Sequence, residues 1–174
     1  KRAPPFFPGP QPVSVERRHF TQLKKRNYVV CEKTDGVRHV MMCFTYQDKN
    51  MCIITNRNLD MYLVNLRIPT SAYESKVILD GEIVKSYEGR WMFMVYDIMI
   101  PGNFPERFKT ADKIVSKIMN VSKNIFVVKL KKFFKLKQFS ELQDVDFPYH
   151  VDGYVFTPED EPIKVGTHET MFKW

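Results

Sequence analysis

Apolar and polar positions alternate along this chain in a pattern that predicts many strands and few helices. From Tyr28 onward, β-branched and aromatic residues recur with a period close to two, and short polar breaks separate the runs. The runs predict strands at 28–32, 38–46, 52–56, 61–68, 77–85, 91–100, 125–136, 150–157 and 163–174. We therefore expect an α+β domain dominated by antiparallel sheet.

The patterns that predict helices cover only short stretches of the chain. Ser14 is placed to cap a helix with Phe20 and Leu23 on one face. Ser140 to Gln143 predicts a further capped turn. Thr110 is predicted to cap a second helix, whose apolar stripe consists of Ile114, Val115, Ile118 and Met119.

Composition places the chain among ordinary globular proteins. Hydrophobic residues make up 44% and charged residues 27% of the 174 positions, so we expect one domain over 1–174. Five prolines among the first twelve residues predict an extended start without regular structure. No apolar run approaches the roughly 18 residues of a membrane-spanning helix, so no membrane partner is expected. Because the chain begins at Lys1 and ends at Trp174, we interpret it as a fragment of a longer polypeptide.

Charge and cysteine content narrow the expected partners and location. The net charge of +7 favours an anionic partner such as a nucleic acid, a nucleotide or a membrane surface. The three cysteines lie in apolar runs and have no CxxC spacing, which predicts reduced core residues of an intracellular protein.

The segment around Lys33 is the first candidate for chemistry. An apolar strand ends at Lys33, the Asp35-Gly36 pair predicts a tight turn, and Arg38 begins the next strand. A lysine held near other cations loses its proton more readily and can act as a nucleophile. An ordinary hairpin with a solvated lysine has the same pattern, so these residues alone leave both interpretations open.

Two further Asp-Gly pairs lie inside apolar strands. They begin at Asp80, in Asp-Gly-Glu82, and at Asp152. A carboxylate in apolar surroundings is costly unless it binds a metal, a ribose hydroxyl or a cation. The positions of these acids therefore indicate a binding role and not that of ordinary turn residues. Taken alone, Tyr96 is typical of a core strand, and Lys173 is typical of an exposed chain end.

Taken in order, the segments resemble the covalent nucleotidyltransferase superfamily of mRNA capping enzymes and ATP-dependent polynucleotide ligases. The resemblance implies an α+β, DNA-ligase-like and ATP-grasp-like nucleotidyltransferase fold with few helices, here without the C-terminal OB-fold domain of the family. Two additional segments are similar to the RNA guanylyltransferase branch, PGPQPVS at 8–14 and KKFF at 131–134. The five segments that carry the superfamily resemblance are KTDGVR at 33–38, DGE at 80–82, YD at 96–97, DG at 152–153 and KW at 173–174.

The resemblance implies mRNA 5′ capping. Lys33 would attack the α-phosphate of GTP, release pyrophosphate and form a lysyl-GMP phosphoramidate, from which RNA with a 5′-diphosphate end takes the GMP. Arg38, Lys131, Lys173 and a divalent metal, Mg²⁺ or Mn²⁺, would lower the pKa of Lys33 and neutralise the phosphates. Flanking triphosphatase, OB-fold and methyltransferase domains or subunits are implied partners.

The resemblance also implies roles for residues around the ribose and the metal. Arg38 would contact the ribose end, and Glu82 would bind a ribose hydroxyl or help to order the metal. Asp152 would hold the metal or its water. Asp35 and Gly36 would shape the loop that follows Lys33.

For the base and the phosphates, the implied residues lie on other segments. Tyr96 would stack on the purine, with Phe93 as the alternative if the register differs. Lys131 would donate to guanine O6 and so separate GTP from ATP, although a solvated basic strand has the same sequence pattern. Lys173 would contact the α-phosphate. Arg57 matches a nucleotide-binding arginine, or else it is a surface residue.

Two other functions compete with guanylyl transfer. An ATP-dependent RNA or DNA ligase would use the same lysine to form lysyl-AMP. A non-catalytic RNA-binding module would need the positive charge but no acids within apolar strands. We expect a nuclear location for a cellular eukaryotic protein, and the host cytoplasm or the virion for one from a cytoplasmic DNA virus. Without an OB-fold, the isolated chain is expected to be weakly active.

Overall fold

The computed structural model describes residues 7–74, 76–120 and 123–174 as two sheets with four short helices. The predicted start at residues 1–6 lies outside the described residues. The helices are α1 (Phe20–Lys25), α2 (Thr70–Glu74), α3 (Phe104–Val115) and α4 (Phe139–Gln143). The strands are β1 (Pro10–Ser14), β2 (Tyr28–Thr34), β3 (Val37–Tyr46), β4 (Lys49–Asn56), β5 (Met61–Leu63), β6 (Ile78–Lys85), β7 (Trp91–Ile98), β8 (Val127–Leu130), β9 (Phe134–Lys135), β10 (Val151–Pro158) and β11 (Gly166–Lys173).

The two sheets are mostly antiparallel, which confirms the α+β prediction. The first sheet has the strand order β1-β11-β10-β2-β9, and the second has the order β5-β4-β3-β6-β7-β8. Each sheet contains one parallel pair, β1 with β11 and β7 with β8. Among the described helices, none is long and apolar enough to cross a membrane.

Each sheet packs one face on an apolar core of its own. In the second sheet, Leu79, Phe93 and Val95 are fully buried in a large core that also contains residues of α2 and α3. In the first sheet, Val30 and Phe172 are fully buried in a smaller core. Because side chains alternate along a strand, the other face of the first sheet remains available for a binding site.

The predicted start of helix α3 was wrong by seven residues, because the cap is Asn103 and not Thr110. Asn103 caps the helix, because its side chain accepts a hydrogen bond from Glu106 N while the Glu106 carboxylate accepts one from Asn103 N. This reciprocal cap was readable as Asn-x-x-Glu and is stronger than a threonine cap. Thr110 lies inside the helix and donates to Glu106 O. Of the predicted stripe, Met119 is 55% exposed and lies beyond the helix.

The region before β2 also differs from the prediction. Pro10–Ser14 forms a parallel edge strand, where the missing N–H of proline is tolerated, so Ser14 ends a strand and caps no helix. Helical structure begins after Glu16, with a short 3-10 turn that leads into α1. Leu23 is buried as predicted, whereas Phe20 is 52% exposed.

The predicted strand at 125–136 is divided between the two sheets. β8 joins the second sheet and β9 joins the first, and the chain crosses from one to the other at residues 131–133. Lys131 therefore lies where the two sheets meet. The other strand predictions hold, except that 61–68 is a strand only over β5, while the predicted turn at Ser140 to Gln143 is part of α4.

Glu161 joins the loop between β10 and β11 to the start of β2. Its carboxylate pairs with Arg26 at 2.6 Å and accepts hydrogen bonds from Thr170 at 2.6 Å and Lys164 at 3.0 Å. Burial alone would raise the pKa of Glu161, but the hydrogen bonds from Thr170, Arg26 and Lys164 outweigh it and lower the pKa to about 2. The ionised carboxylate therefore stabilises the fold.

Replacing Glu161 by Gln tests this contribution. Because the folded-state pKa lies below the ordinary value of 4.5, the carboxylate stabilises the protein above pH 4.5 and loses this effect as the pH falls towards 2. We expect E161Q to lower the free energy of unfolding by roughly 2 kcal/mol at pH 7. Urea unfolding should show the difference shrinking between pH 4.5 and pH 2.5. The control is E169Q at an exposed position of β11, and equal stability of the two variants at pH 7 would contradict the prediction.

Candidate active site

A cleft between the two sheets brings most of the predicted site residues together. Because Val30, Phe156 and Phe172 point into the core of the first sheet, the alternating residues Cys31 and Val155 face the cleft. The predicted site residues that line the cleft are Lys33, Arg38, Arg57, Glu82, Tyr96, Lys131 and Lys173.

Lys33 and Asp152 form a salt bridge on the first sheet. Lys33 Nζ lies 2.7 Å from Asp152 Oδ1 and 2.8 Å from Oδ2, and about a third of each side chain is exposed. The pairing of β2 with β10 shifts between Val151 and Gly153, which makes Asp152 the extra residue of a β-bulge. The bulge thus presents the carboxylate to Lys33 at an accessible position.

Gly153 is required for this bulge. Its φ is +150°, and an added Cβ would lie 1.9 Å from Trp174 O. The close approach arises because Tyr154 and Trp174 exchange two backbone hydrogen bonds, of 2.8 and 2.9 Å. The glycine of the third Asp-Gly pair therefore allows β10 and the end of β11 to meet beside Asp152.

The turn after Lys33 depends on its glycine in a similar way. A Cβ on Gly36 would lie 2.7 Å from the backbone oxygen of Ile83, so the turn packs directly against β6. Asp35 N donates to His150 O at 3.2 Å, whereas the Asp35 side chain is exposed. The predicted loop-shaping residues thus link Lys33 to both sheets.

Arg38 and Asp80 form a buried ion pair in the wall of the cleft. Arg38 Nε and Nη2 donate to the two Asp80 oxygens at 3.0 and 2.5 Å, and Nη1 donates to Pro10 O at 2.5 Å. Burial raises the pKa of Asp80, and the Arg38 guanidinium opposes this rise. Asp80 is not among the predicted site residues, although its position in an apolar strand indicated a cation partner.

Tyr96 faces the cleft and belongs to the same cluster. Its hydroxyl donates to Asp80 Oδ1 at 2.9 Å, and burial together with the Asp80 carboxylate raises the pKa of Tyr96 well above its usual value. Phe93 is fully buried in the core of the second sheet and packs against Phe126. Tyr96, and not the alternative Phe93, is therefore the aromatic residue of β7 that lines the cleft.

Lys131 is buried among acids and is not part of a solvated basic strand. Only 3% of Lys131 is exposed, whereas Lys129, Lys132, Lys135 and Lys137 are exposed. Its ammonium donates to Glu32 O at 2.9 Å and Thr34 Oγ1 at 3.1 Å. It also lies 3.7 Å from both Glu32 Oε1 and Glu82 Oε2. Its reading of guanine O6 stays a prediction.

Glu32 is a site residue that was not predicted from the sequence. It precedes Lys33, is 1% exposed and accepts a hydrogen bond from Tyr149 at 2.9 Å. Its Oε2 atom has no hydrogen-bond partner in the described part of the chain. Burial raises the pKa of Glu32, and the nearby ammonium of Lys131 opposes this rise. The sequence signal was a glutamate inside an otherwise apolar strand.

Arg57 and Lys173 are exposed side chains that line the cleft. Arg57 also borders a hollow that it shares with Gly36, Val37 and Glu82. Lys173 lies opposite Val155 on β10 and opposite Ser14 on β1. Both cations are thus accessible to an anionic ligand entering from solvent.

The acids at this site fit a divalent metal that is bound mainly through the phosphates of a substrate and only by one or two carboxylates of the protein. No group of three or more His, Cys, Asp or Glu side chains suited to a metal occurs in residues 7–74, 76–120 and 123–174. Magnesium often uses one or two carboxylates together with substrate phosphates. The accessible Asp152 carboxylate meets this requirement, whereas Glu82 is engaged by Thr34 and Lys131.

Comparison with known proteins identifies the family. Residues 1–174 match the family described as mRNA capping enzyme, catalytic domain. The chain belongs to this family. It is 27% identical over 208 aligned positions to the mRNA-capping enzyme subunit alpha of Schizosaccharomyces pombe, covering 99% of this chain and 51% of that protein. It is 25% identical to the mRNA-capping enzyme of Caenorhabditis elegans, covering 97% and 31%.

Solved structures show that this capping-enzyme domain has the fold of ligase nucleotidyltransferase domains. The ATP-dependent DNA ligase from bacteriophage T7, in complex with ATP, superposes with a TM-score of 0.64 at 10% identity, covering 95% of this chain and 67% of that one. The ligase domain from M. tuberculosis LigD gives 0.60 at 12% identity, covering 97% and 58%. The predicted nucleotidyltransferase fold is confirmed. The chain spans about half the length of the S. pombe relative.

The buried pair of Arg38 and Asp80 generates a stability prediction. Replacing Asp80 by Asn leaves a guanidinium buried without its counter-charge, so we expect D80N to lower the free energy of unfolding by roughly 3 kcal/mol. Urea denaturation at pH 7 measures the change. The control is D60N, because Asp60 is exposed and accepts a hydrogen bond from Asn56. A D80N protein as stable as D60N would show that the pair does not stabilise the domain.

Proposed function

We propose that this chain is the nucleotidyltransferase core of an mRNA guanylyltransferase, which transfers GMP from GTP to the 5′-diphosphate end of RNA. The observation that carries the proposal is the placement of Lys33 in a cleft with Arg38, Arg57, Lys131 and Lys173. Membership of the capping-enzyme family supports the reaction class.

The proposed reaction has two steps. In the first, the unprotonated Lys33 Nζ attacks the α-phosphorus of GTP, so that a P–N bond forms, the bond to the bridging oxygen breaks and pyrophosphate leaves. Asp152, 2.7 Å from Nζ, is the nearest group that can accept the proton that Nζ must lose, and it would release that proton to solvent when the metal binds to its carboxylate. In the second step, a terminal oxygen of the RNA diphosphate attacks the same phosphorus, and the lysine amine is released with its proton restored.

Charged groups of the cleft would stabilise the phosphates during both steps. Lys173 and Arg57 are exposed and can approach the phosphate oxygens, whereas Arg38 is fixed by Asp80 and Pro10. A cation that is already fixed in place need not move when negative charge develops on the leaving group, so it stabilises that charge at little cost in free energy. Asp152 would hold Mg²⁺ or Mn²⁺ beside the phosphates, and the metal would supply further charge neutralisation.

The relatives are longer than this chain, and we propose further domains or subunits on that basis. This chain covers about half of the S. pombe relative and about a third of the C. elegans one. We propose that an OB-fold domain completes the phosphate site, and that triphosphatase and methyltransferase domains or subunits supply and consume the RNA substrates. The isolated chain is then expected to react weakly. We propose a nuclear or a cytoplasmic viral setting, according to source.

Formation of a covalent adduct tests the proposed function. The protein, with any flanking domains present, is incubated with α-labelled GTP and Mg²⁺ or Mn²⁺, and acid-labile label on the chain is measured. We expect Lys33→Arg to lower labelling by at least about a hundredfold, because the guanidinium cannot release a proton to become a nucleophile. The matched control is Lys24→Arg at an exposed position of α1. A wild-type protein that never acquires label would overturn the proposal.

The same assay separates the alternatives. A ligase would be labelled by ATP in preference to GTP, at the same lysine. A non-catalytic RNA-binding module would bind RNA with steep salt dependence and acquire no label from either nucleotide.

A further inference from the structure

Two exposed aromatic side chains lie on the hairpin formed by β6 and β7. Tyr87 is 73% exposed in the turn, and Trp91 is 48% exposed at the start of β7. Lys85 lies opposite Trp91, and its Nζ is 5.6 Å from the centre of the Trp91 ring. Residues 85–91 carry two cations, Lys85 and Arg90, and one acid, Glu88. Because clustered apolar surface commonly marks a site of interaction, the hairpin indicates a partner that uses aromatic rings beside positive charge.

The exposed surface extends from the hairpin to the turn that follows Lys33. Val37 lies opposite Ile83, and Lys85 follows Ile83 by two residues on β6. Because residues two apart on a strand point to the same face, Val37, Lys85 and Trp91 lie on one face of the second sheet. Val37 is 59% exposed although it is apolar. The hairpin patch consists of Val37, Lys85, Tyr87 and Trp91.

A hollow connects the hairpin patch to the cleft. Val37 and Gly36 line this hollow together with Arg38, Arg57 and Glu82, which also line the cleft. Because neighbouring residues of a strand point to opposite faces, the hollow passes around the end of the sheet, from Arg38 on the cleft face to Val37 on the patch. The exposed side chain of Arg57 offers a positive charge along this path. A chain-like anion that reacts in the cleft can therefore continue through the hollow onto the hairpin patch.

Single-stranded RNA is the partner that this surface fits. Bases of a single strand stack on exposed aromatic rings, and lysine and arginine side chains bind the phosphates. A protein partner would not need a passage into the cleft. An RNA whose 5′ end reacts in the cleft, in contrast, must leave it over a neighbouring surface.

We propose that the hairpin patch binds the acceptor RNA just downstream of its 5′ end, with bases stacked on Trp91 and Tyr87 and a phosphate beside Lys85. The proposal rests on the proposed function, because it takes RNA to be the acceptor of the GMP bound to Lys33. It assigns a role to a surface outside the nucleotide cleft and adds no contact to the purine base of GTP.

Transfer of GMP from the preformed lysyl-GMP adduct to RNA tests the proposal. The acceptor is a 5′-diphosphate RNA of about ten nucleotides, which is long enough to cover a single-strand binding surface. We expect Trp91→Ala to raise the RNA concentration for half-maximal transfer about tenfold, because a base loses its stacking partner. Lys85→Gln should raise it about threefold and weaken its dependence on salt. Formation of the adduct from GTP should be unchanged in both variants.

The far end of β3 provides matched controls. Tyr46 and Lys49 are an exposed aromatic residue and an exposed lysine that lie directly opposite each other, as Trp91 and Lys85 do. Tyr46 ends the strand that Val37 begins, so it lies about 30 Å from the patch at the usual rise of a strand. We expect Y46A and K49Q to transfer GMP to RNA as wild type does. A nucleoside 5′-diphosphate acceptor is too short to reach the patch, so W91A should use it as well as wild type does.

Fluorescence anisotropy of a labelled 5′-diphosphate RNA measures binding without catalysis and separates the outcomes. A wild-type protein that never forms lysyl-GMP, but binds this RNA about tenfold more tightly than W91A does, would refute the proposed function and support the role of the patch. Equal RNA affinity and transfer in wild type, W91A and K85Q would overturn the role of the patch in RNA binding and leave it to a protein partner, even if GTP labels the chain. An equal loss in W91A and Y46A would also overturn it, because the effect would not be specific to the patch.

Discussion

Pairing of buried charges is the constraint on which this cleft depends. Arg38 is held by Asp80 from the next strand, Arg107 by Asp97, and Lys131 lies between Glu32 and Glu82. Each buried cation would be costly alone, so the acids of the apolar strands are required wherever a cation lines the wall. The chain carries a net charge of +7, yet these three buried cations all have acidic partners. Exposed side chains such as Lys173 supply the positive charge of the cleft that a ligand can reach.

The paired charges also hold the two sheets together. Asp80 and Asp97 lie opposite each other on β6 and β7, and each binds an arginine from a different element. Arg107 of α3 continues beyond Asp97 to donate to Gly102 O at 2.8 Å and Glu161 O at 2.9 Å. Glu161 lies in the loop between two strands of the first sheet. The acid on β7 is thereby connected through one buried guanidinium to the sheet that carries Lys33.

The local patterns predicted the α+β class and most strands, because period-two alternation is a property of neighbouring residues. The residues that gather in the cleft, such as Tyr96, Lys131 and Lys173, were implied by the resemblance to the nucleotidyltransferase superfamily. Contacts between distant segments escaped prediction. Asp80 could be suspected of binding a cation, but its partner Arg38 is 42 residues away. The division of 125–136 between two sheets has no local signature either, since both halves have strand character. The Asn103 cap has a local signature, Asn-x-x-Glu, which is stronger than the threonine cap predicted at Thr110.

The salt bridge between Lys33 and Asp152 has a consequence for ligand binding, because a ligand that engages the Lys33 ammonium must take the place of a carboxylate 2.7 Å away. A neutral ligand that separated the two side chains would leave both charges to water alone, since about a third of each side chain is exposed. An anionic group can replace the carboxylate beside Lys33, while a cation carried in with that anion can occupy the place of the ammonium beside Asp152. Under the proposed function, a polyphosphate that carries a divalent metal would supply both new partners in a single binding event.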